Sequence, residues 1–314
     1  MPTPDLTVII PTRNASKEIS LLLTALRNQE TSTDLEILVI DSASTDDTVD
    51  QARQQDARVI SIPAESFNHG GTRNYGAKLS RGEYLFFFTQ DAFPLTPRYL
   101  QNMIHALEKH GAAAAFARQV PRSQAGPLVK RNLQRWQSGS SERKIQHIES
   151  LTAFFSLPPM ERYLMSLFDN VASVIRRSAW ESIPFPEAPF GEDIEWGFRA
   201  LCNGYTLVYE PEAMVEHSHE RSPGYLYQRT FVDHYRLYEI FGLRTIPTRR
   251  HTLRAFWKTT WSDWRFLAQE KPFTASWWKE MRDAPRNAWA SAWGQYHGAR
   301  SAARGIRIGQ SREV

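Results

Sequence analysis

Leu6-Thr7-Val8-Ile9-Ile10-Pro11-Thr12-Arg13-Asn14 is an apolar run that breaks into a polar turn. A short continuous run of this kind suits a buried strand, so Leu6–Ile10 is read as one. The design recurs outward from it. Glu36–Ile40 runs into Asp41-Ser42, and Tyr84–Thr89 runs into Gln90-Asp91-Ala92. Between these runs, Ile19, Leu22, Leu23 and Leu26 fall at helical spacing within Ser16–Asn28. Ser44 with Asp47 three positions on resembles a capping box that starts a helix reaching Gln55. Val59–Ile62 is a further strand and Thr72–Ser80 a helix. Strands alternating with helices predict a parallel sheet covered by helices.

The second half is less regular. Gln119–Ser156 is polar and carries Pro121, Gly126 and Gly139, which predicts a long or mobile connection. Order is expected to resume at strand Asn170–Ile175, helix Ile194–Asn203 and strand Thr206–Tyr209. From Arg249 the composition turns rich in tryptophan and arginine. These shifts divide the chain into an expected catalytic domain, residues 1–222, and a basic helical region, residues 223–314.

With 314 residues, 41% hydrophobic and 23% charged, the chain can bury a substantial core and is not disordered in composition. No apolar run reaches 18 residues, so no membrane span is expected. The first residues enter a strand without a basic, cleavable leader, which predicts a cytoplasmic protein. The lone Cys202 cannot form an internal disulfide and reads as a small core residue. Net charge is +4, but it is uneven: thirteen Lys/Arg face five Asp/Glu after Thr248. A basic tail on a mildly acidic body suggests an anionic partner.

In open α/β sheets, ligands bind beyond the carboxyl ends of the strands. Asp41 and Asp91 emerge there from hydrophobic strands, where each is either a turn acid or a ligand group. An acid in that position suits a hard cation that bridges a diphosphate. Gly191-Glu192-Asp193 follows Pro184, Pro186 and Pro189 and opens a helix; the pair either caps it or supplies a general base. His217-Ser218-His219 on a loop could complete a metal sphere begun by Asp91. Asn68-His69-Gly70-Gly71-Thr72-Arg73-Asn74 offers backbone donors and a guanidinium at a helix start, which suits phosphate. The Gly76-Ala77-Lys78 that follows is a near miss to a P-loop, and no G-x-G-x-x-G occurs.

These pieces, in this order, resemble a family 2 inverting glycosyltransferase of the GT-A fold over roughly residues 5–220. "VIIPTRN" (8–14) and "VIDSASTDDT" (39–48) are similar to its nucleotide-contacting turns, "FFFTQDAFP" (86–94) to its D-x-D region, and "GEDIEWGFR" (191–199) to its catalytic-base motif. "NHGGTRN", "QDA" and "HSHERS" together resemble the bacterial rhamnosyltransferase branch. The resemblance implies a Rossmann-like, mostly parallel sheet flanked by helices, with a C-terminal helical appendage. It implies Asp193, with Glu192 beside it, as the catalytic acid pair. Pro11, Thr12, Arg13, Asn14, Asp41, Ser42, His69, Gly70, Arg73 and Gln90 would meet the donor nucleotide. Asn170 and Trp196 would meet the acceptor, and Asp91, His217 and His219 would hold Mg2+ or Mn2+. The donor would be dTDP-L-rhamnose, and the acceptor a cell-surface glycan or its lipid-linked form. Gln90 stands where many relatives carry an acid, which throws more weight onto the histidines. The rivals are a nucleotidyltransferase, which needs a glycine-rich loop after the first strand, and a non-catalytic nucleotide-sugar or glycan-binding scaffold.

In the tail, Leu253, Trp257, Trp261, Trp264 and Ala268 recur at helical spacing, and Trp289 and Trp293 lie four apart. The stripe either packs on the catalytic domain or a second subunit, or lies in the headgroup layer of an anionic membrane. No nucleic-acid module is recognisable, so no nucleic acid is expected as partner.

Overall fold

A computed structural model describes residues 6–31, 34–188, 190–270 and 275–307. Pro189, expected among the prolines ahead of Gly191, and residues 1–5 lie outside the described residues. Nine strands, β1 (Leu6–Thr12), β2 (Leu35–Asp41), β3 (Arg58–Ser61), β4 (Tyr84–Phe88), β5 (Phe93–Pro94), β6 (Ala114–Val120), β7 (Lys144–Gln146), β8 (Ala172–Arg176) and β9 (Leu207–Glu216), form one sheet. Its order is β3-β2-β1-β4-β8-β6-β9-β5, with β7 paired to β9.

Helices α1 (Ile19–Arg27), α2 (Thr48–Gln54), α3 (His69–Leu79) and α4 (Tyr99–His110) follow the first strands. On α1 the residues spaced for one face, Ile19, Leu22, Leu23 and Leu26, are fully buried against the sheet. Each such side chain contributes about 2 kcal/mol of transfer free energy. The expected capping box is not used. α2 starts at Thr48 without a side-chain cap, because Ser44 Oγ donates to Asp41 at 2.5 Å instead.

The pairs β1–β2, β1–β4 and β2–β3 are parallel, as the strand–helix alternation predicts. β8 then enters antiparallel between β4 and β6, while β6 and β9 run parallel. This mixed arrangement builds one functional rim. Thr12 pairs with Asp41 where β1 and β2 end. Phe88 at the end of β4 faces Ala172 at the start of β8. Val120 at the end of β6 faces Glu216 at the end of β9. Residues just before β8 therefore reach the same edge as residues just after β2, β4 and β9.

The stretch expected to be a long or mobile connection is largely structured. It holds α5 (Pro127–Arg135), β7 and α6 (Leu151–Ser156). Gln146 at the end of β7 donates to the carbonyls of Met165 and Leu167. After α7 (Pro159–Met165) and α8 (Arg177–Ser182), α9 (Glu192–Cys202) packs Trp196, Ala200 and Leu201 inward.

The chain divides into two compact units: residues 1–120, 136–156 and 164–217 form the first, and residues 121–135, 157–163 and 218–314 the second. The sequence reading placed a single boundary at 222/223; α5 instead joins the C-terminal helices α10 (Pro223–Phe241), α11 (Arg249–Leu267) and α12 (Ala275–Ala303). Leu128 of α5 packs with Leu267, Trp277 and Ala284, and Arg131 pairs with the buried Asp263 of α11.

Candidate active site

The loops after β1 and β2 are laced together. Asn14 and Ala43 both adopt left-handed backbone, with φ of 49° and 56°. Asn14 Oδ1 accepts from Thr45 N–H at 2.9 Å, and Asn14 N–H donates to Ser44 Oγ at 2.8 Å. Ala15 N–H donates to Thr48 Oγ1 at 2.7 Å. The strain at a non-glycine left-handed residue is held by these surroundings and fits a preformed binding surface. Asp41 is buried, and its carboxylate accepts from both the N–H and the hydroxyl of Ser44. Beside it, the hydroxyls of Thr12 and Ser42 are buried and find no partner among the described residues. Two orphaned hydroxyls at strand tips are what a polar ligand would satisfy. Arg13 is exposed and Pro11 partly so. Gln90 has a different role from the expected donor contact: its amide oxygen accepts from Arg13 N–H and its nitrogen donates to Arg13 O. It clips the tips of β1 and β4 to each other.

The expected metal residues come together. Ligand atoms of Asp91, His217 and His219 lie within 4.8 Å of one another, and His217 Nε2 is 3.7 Å from Asp91 Oδ1. His217 Nδ1 is 2.9 Å from Gln119 Oε1, while Gln119 Nε2 donates to Asp169 Oδ2 at 2.6 Å. Because the amide nitrogen is committed to Asp169, its oxygen must accept, and the proton sits on His217 Nδ1. In the neutral imidazole this tautomer turns the Nε2 lone pair toward Asp91, as a metal-binding imidazole requires. One carboxylate with two imidazoles fits a divalent transition-metal ion, which accepts nitrogen ligands, better than Mg2+, which prefers oxygen; of the two expected ions that favours Mn2+.

Gly191, at φ 72°, turns the chain into α9. Asp193 accepts from Ile194 N–H at 2.8 Å and from Asn170 N–H at 3.3 Å. It keeps partial solvent access within a dense protein shell. Burial first, then the neighbouring Glu192 charge, raises its pKa from 3.8 to about 7, against the lowering pull of the two N–H groups and Arg73. A carboxylate so placed is poised to take a proton near neutrality. Glu192 cannot share that task. It is buried and ion-paired with Arg73 at 2.7 Å.

That pair revises the reading of Asn68–Asn74 as a phosphate cradle. Arg73 is 4% exposed and donates to Glu192 and to His69 O, which removes it from any donor phosphate. The segment instead clamps the loop before Gly191. Asn68 Nδ2 donates to Ala188 O and Asn74 Nδ2 to Phe185 O. Gly70 is required by close approach: a Cβ there would lie 2.0 Å from Pro186 O. Only His69, held between the rings of Phe67 and Phe190, keeps part of its side chain exposed among His69, Gly70 and Arg73.

Of the two expected acceptor residues, Trp196 is fully buried, donates to Ile183 O and packs on Phe168 at 4.8 Å. It is a core residue and cannot meet an acceptor. Asn170 is buried beside Asp193; its Oδ1 accepts from Ser173, and its Nδ2 has no partner among the described residues. Sequence reasoning missed Gln119 and Asp169. Asp169 accepts from Gln119, from Ser138 Oγ and from Val171 N–H. A continuous chain, Asp91–His217–Gln119–Asp169, then leads along the backbone to Asn170 and so to Asp193. Thr89 N–H donates to Val171 O at 2.9 Å, tying this chain to the tip of β4. Asp41, Asp91 and Asp193 thus belong to one rim.

Comparisons with known proteins give the family and the fold. The model of "Glycosyl transferase family 2" matches residues 7–179. The chain is 33% identical over 235 residues to the O-antigen chain rhamnosyltransferase RfbN of Salmonella typhimurium, covering 72% of this chain and 70% of the relative. It is 31% identical over 236 residues to the O-antigen chain rhamnosyltransferase WbaN of Salmonella anatum, covering 73% and 70%. Among solved structures, it resembles a mannosyltransferase from Pyrobaculum calidifontis in complex with GDP-Man and Mn2+, with a TM-score of 0.51, 18% identity, and coverage of 98% of this chain and 76% of the other. It also resembles S. aureus TarS 1-349 in complex with UDP, with a TM-score of 0.51, 17% identity, and coverage of 96% and 92%. The strand tips, the acid–histidine group and Asp193 therefore sit on a GT-A framework, and the chain belongs to glycosyl transferase family 2.

Proposed function

We propose that the protein transfers L-rhamnose from dTDP-L-rhamnose, with inversion, to a hydroxyl of a cell-surface glycan or its lipid-linked precursor. The work would be done on the cytoplasmic side of the membrane. The observation that carries the reading is Asp193. It is the acid at this rim whose surroundings raise its pKa to about 7, and it is tied through Asn170 to the Asp91–His217 group.

In this reading, Asp193 takes the proton of the acceptor hydroxyl as that oxygen attacks the anomeric carbon and the nucleoside diphosphate departs from the opposite face. Asn170 Nδ2 offers a hydrogen bond to a sugar hydroxyl. Thr12, Ser42 and Asp41 receive the nucleoside. Asp91, His217 and His219 would hold a divalent ion, for which their donor set favours Mn2+ over Mg2+. Such an ion would neutralise charge on the diphosphate.

Two measurements test the proposal. A thermal-shift panel of nucleotide sugars, with and without Mn2+, should single out dTDP-L-rhamnose. Preference for another donor would overturn the rhamnosyl assignment and leave the transferase class standing. Asp193→Asn should retain donor binding and lose about 10²–10⁴-fold in turnover. A nearly unchanged rate would remove Asp193 as the base.

A further inference from the structure

Helix α11 turns Thr252, Thr260, Asp263 and Leu267 inward. The same helix leaves Leu253, Trp257 and Trp261 exposed at 46%, 64% and 68%. At about 100° per residue, these three positions form one row within roughly 80° of arc. Of the other tail tryptophans, Trp264 and Trp277 are used internally, whereas Trp278 and Trp289 stay 56% and 47% exposed. Trp264 Nε1 donates to Met281 O, Trp277 Nε1 donates to Leu267 O, and the Trp289 ring lies against Phe256 and Trp293.

The charges around the exposed row have one sign. Arg250, Arg254, Lys258 and Arg265 are exposed, and none makes an ion pair among the described residues. The one acid of α11, Asp263, is buried against Arg131. Beside the row, Tyr227, Phe256, Pro285 and Trp289 line a groove of about 540 Å³, and the Phe256 ring lies 4.8 Å from that of Trp257. No helix among the described residues is long and apolar enough to cross a membrane.

We propose that this face of α11 is a docking surface for an anionic lipid bilayer. Indole rings favour the headgroup layer, where their apolar body and N–H are both accommodated. Each arginine or lysine beside them gains from anionic lipid. A second copy of the chain would set like-charged rows against each other, which disfavours self-association through this face. The groove provides an apolar recess for an acyl or isoprenoid chain. The surface goes beyond the catalytic reading and stands whether or not rhamnose is the donated sugar.

The test is flotation of the full chain with vesicles of phosphatidylcholine alone or with added phosphatidylglycerol. The expected result is binding to the anionic vesicles only. Loss of more than about tenfold in partitioning is expected for Trp257→Ser/Trp261→Ser and for Arg254→Glu/Lys258→Glu, since each charge is worth about fivefold. Donor hydrolysis without vesicles, and circular dichroism, should be unchanged in both variants. The hydrolysis assay also reports on the catalytic reading separately. Failure of the wild type to float, or variants that float equally well, would overturn the proposal. So would a concentration-dependent dimer that the tryptophan substitutions abolish.

Discussion

Replacing Asp193 with asparagine should stabilise the folded chain in alkaline buffer and do little in mildly acidic buffer. The pKa of Asp193 lies at about 7 in the folded chain, against a starting value of 3.8. A folded pKa above the unfolded one favours folding fully below the unfolded value, and that advantage is lost as pH rises through the folded value. Above about pH 7, the native state therefore holds an ionised carboxylate against its surroundings. At 1.36 kcal/mol per pH unit, the ceiling on this cost is about 4 kcal/mol. Asparagine removes the charge, but its single amide oxygen replaces two carboxylate oxygens that accept from Ile194 and Asn170. Losing one of those bonds costs about 1 kcal/mol. The net gain should be about 2–3 kcal/mol near pH 8.5 and close to zero near pH 5. In scanning fluorimetry that is a Tm difference of roughly 4–8 °C at the higher pH, collapsing at the lower. A difference that stays constant across the range would refute the argument. The wild-type rate should rise about tenfold between pH 6 and pH 8, because the base must be ionised.

Three further outcomes follow from the geometry. Gln119→Leu removes the group that holds the His217 Nδ1 proton, so Mn2+ affinity should fall about 10–100-fold by isothermal titration. Arg73→Leu strands Glu192 as a buried charge and should cost about 3–5 kcal/mol in denaturant unfolding, whereas the Arg73→Leu/Glu192→Leu double variant should recover most of that loss. Gly70→Ala must displace the Pro186 backbone. It should cost about 1–3 kcal/mol and lower kcat through misplacement of Asp193, with donor affinity measured by nucleotide titration little changed.

The sheet was legible because Leu6–Ile10, Glu36–Ile40 and Tyr84–Thr89 are apolar runs with polar ends, a local pattern that needs no tertiary knowledge. The places of Asp91, His217 and Asp193 were legible for the same reason: each follows or precedes a marked element. Arg73 and Gly70 were misread because a glycine pair at a helix start looks alike whether it admits a phosphate or a backbone carbonyl. Only the position of Pro186 distinguishes the two. Trp196 sits among charged residues in sequence, yet helical spacing turns it inward toward Phe168 and Phe185. Gln119 and Asp169 carry no motif at all; their roles arise from β6 and β8 meeting at one edge. α5 escaped notice because its inward contacts, Leu128 and the ion-paired Arg131, depend on residues of α11 and α12 far along the chain.

The stitched loops behind Thr12 and Ser42 bear on how the proposed donor would be chosen. Hydrogen bonds within the folded chain already hold these loops, so on the proposed reading a nucleotide would meet a finished mould. Selection in such a mould acts by penalty. A base or ribose that leaves either hydroxyl dry forfeits about 1–3 kcal/mol for each, which amounts to roughly five- to a hundredfold in occupancy without any gate having to move.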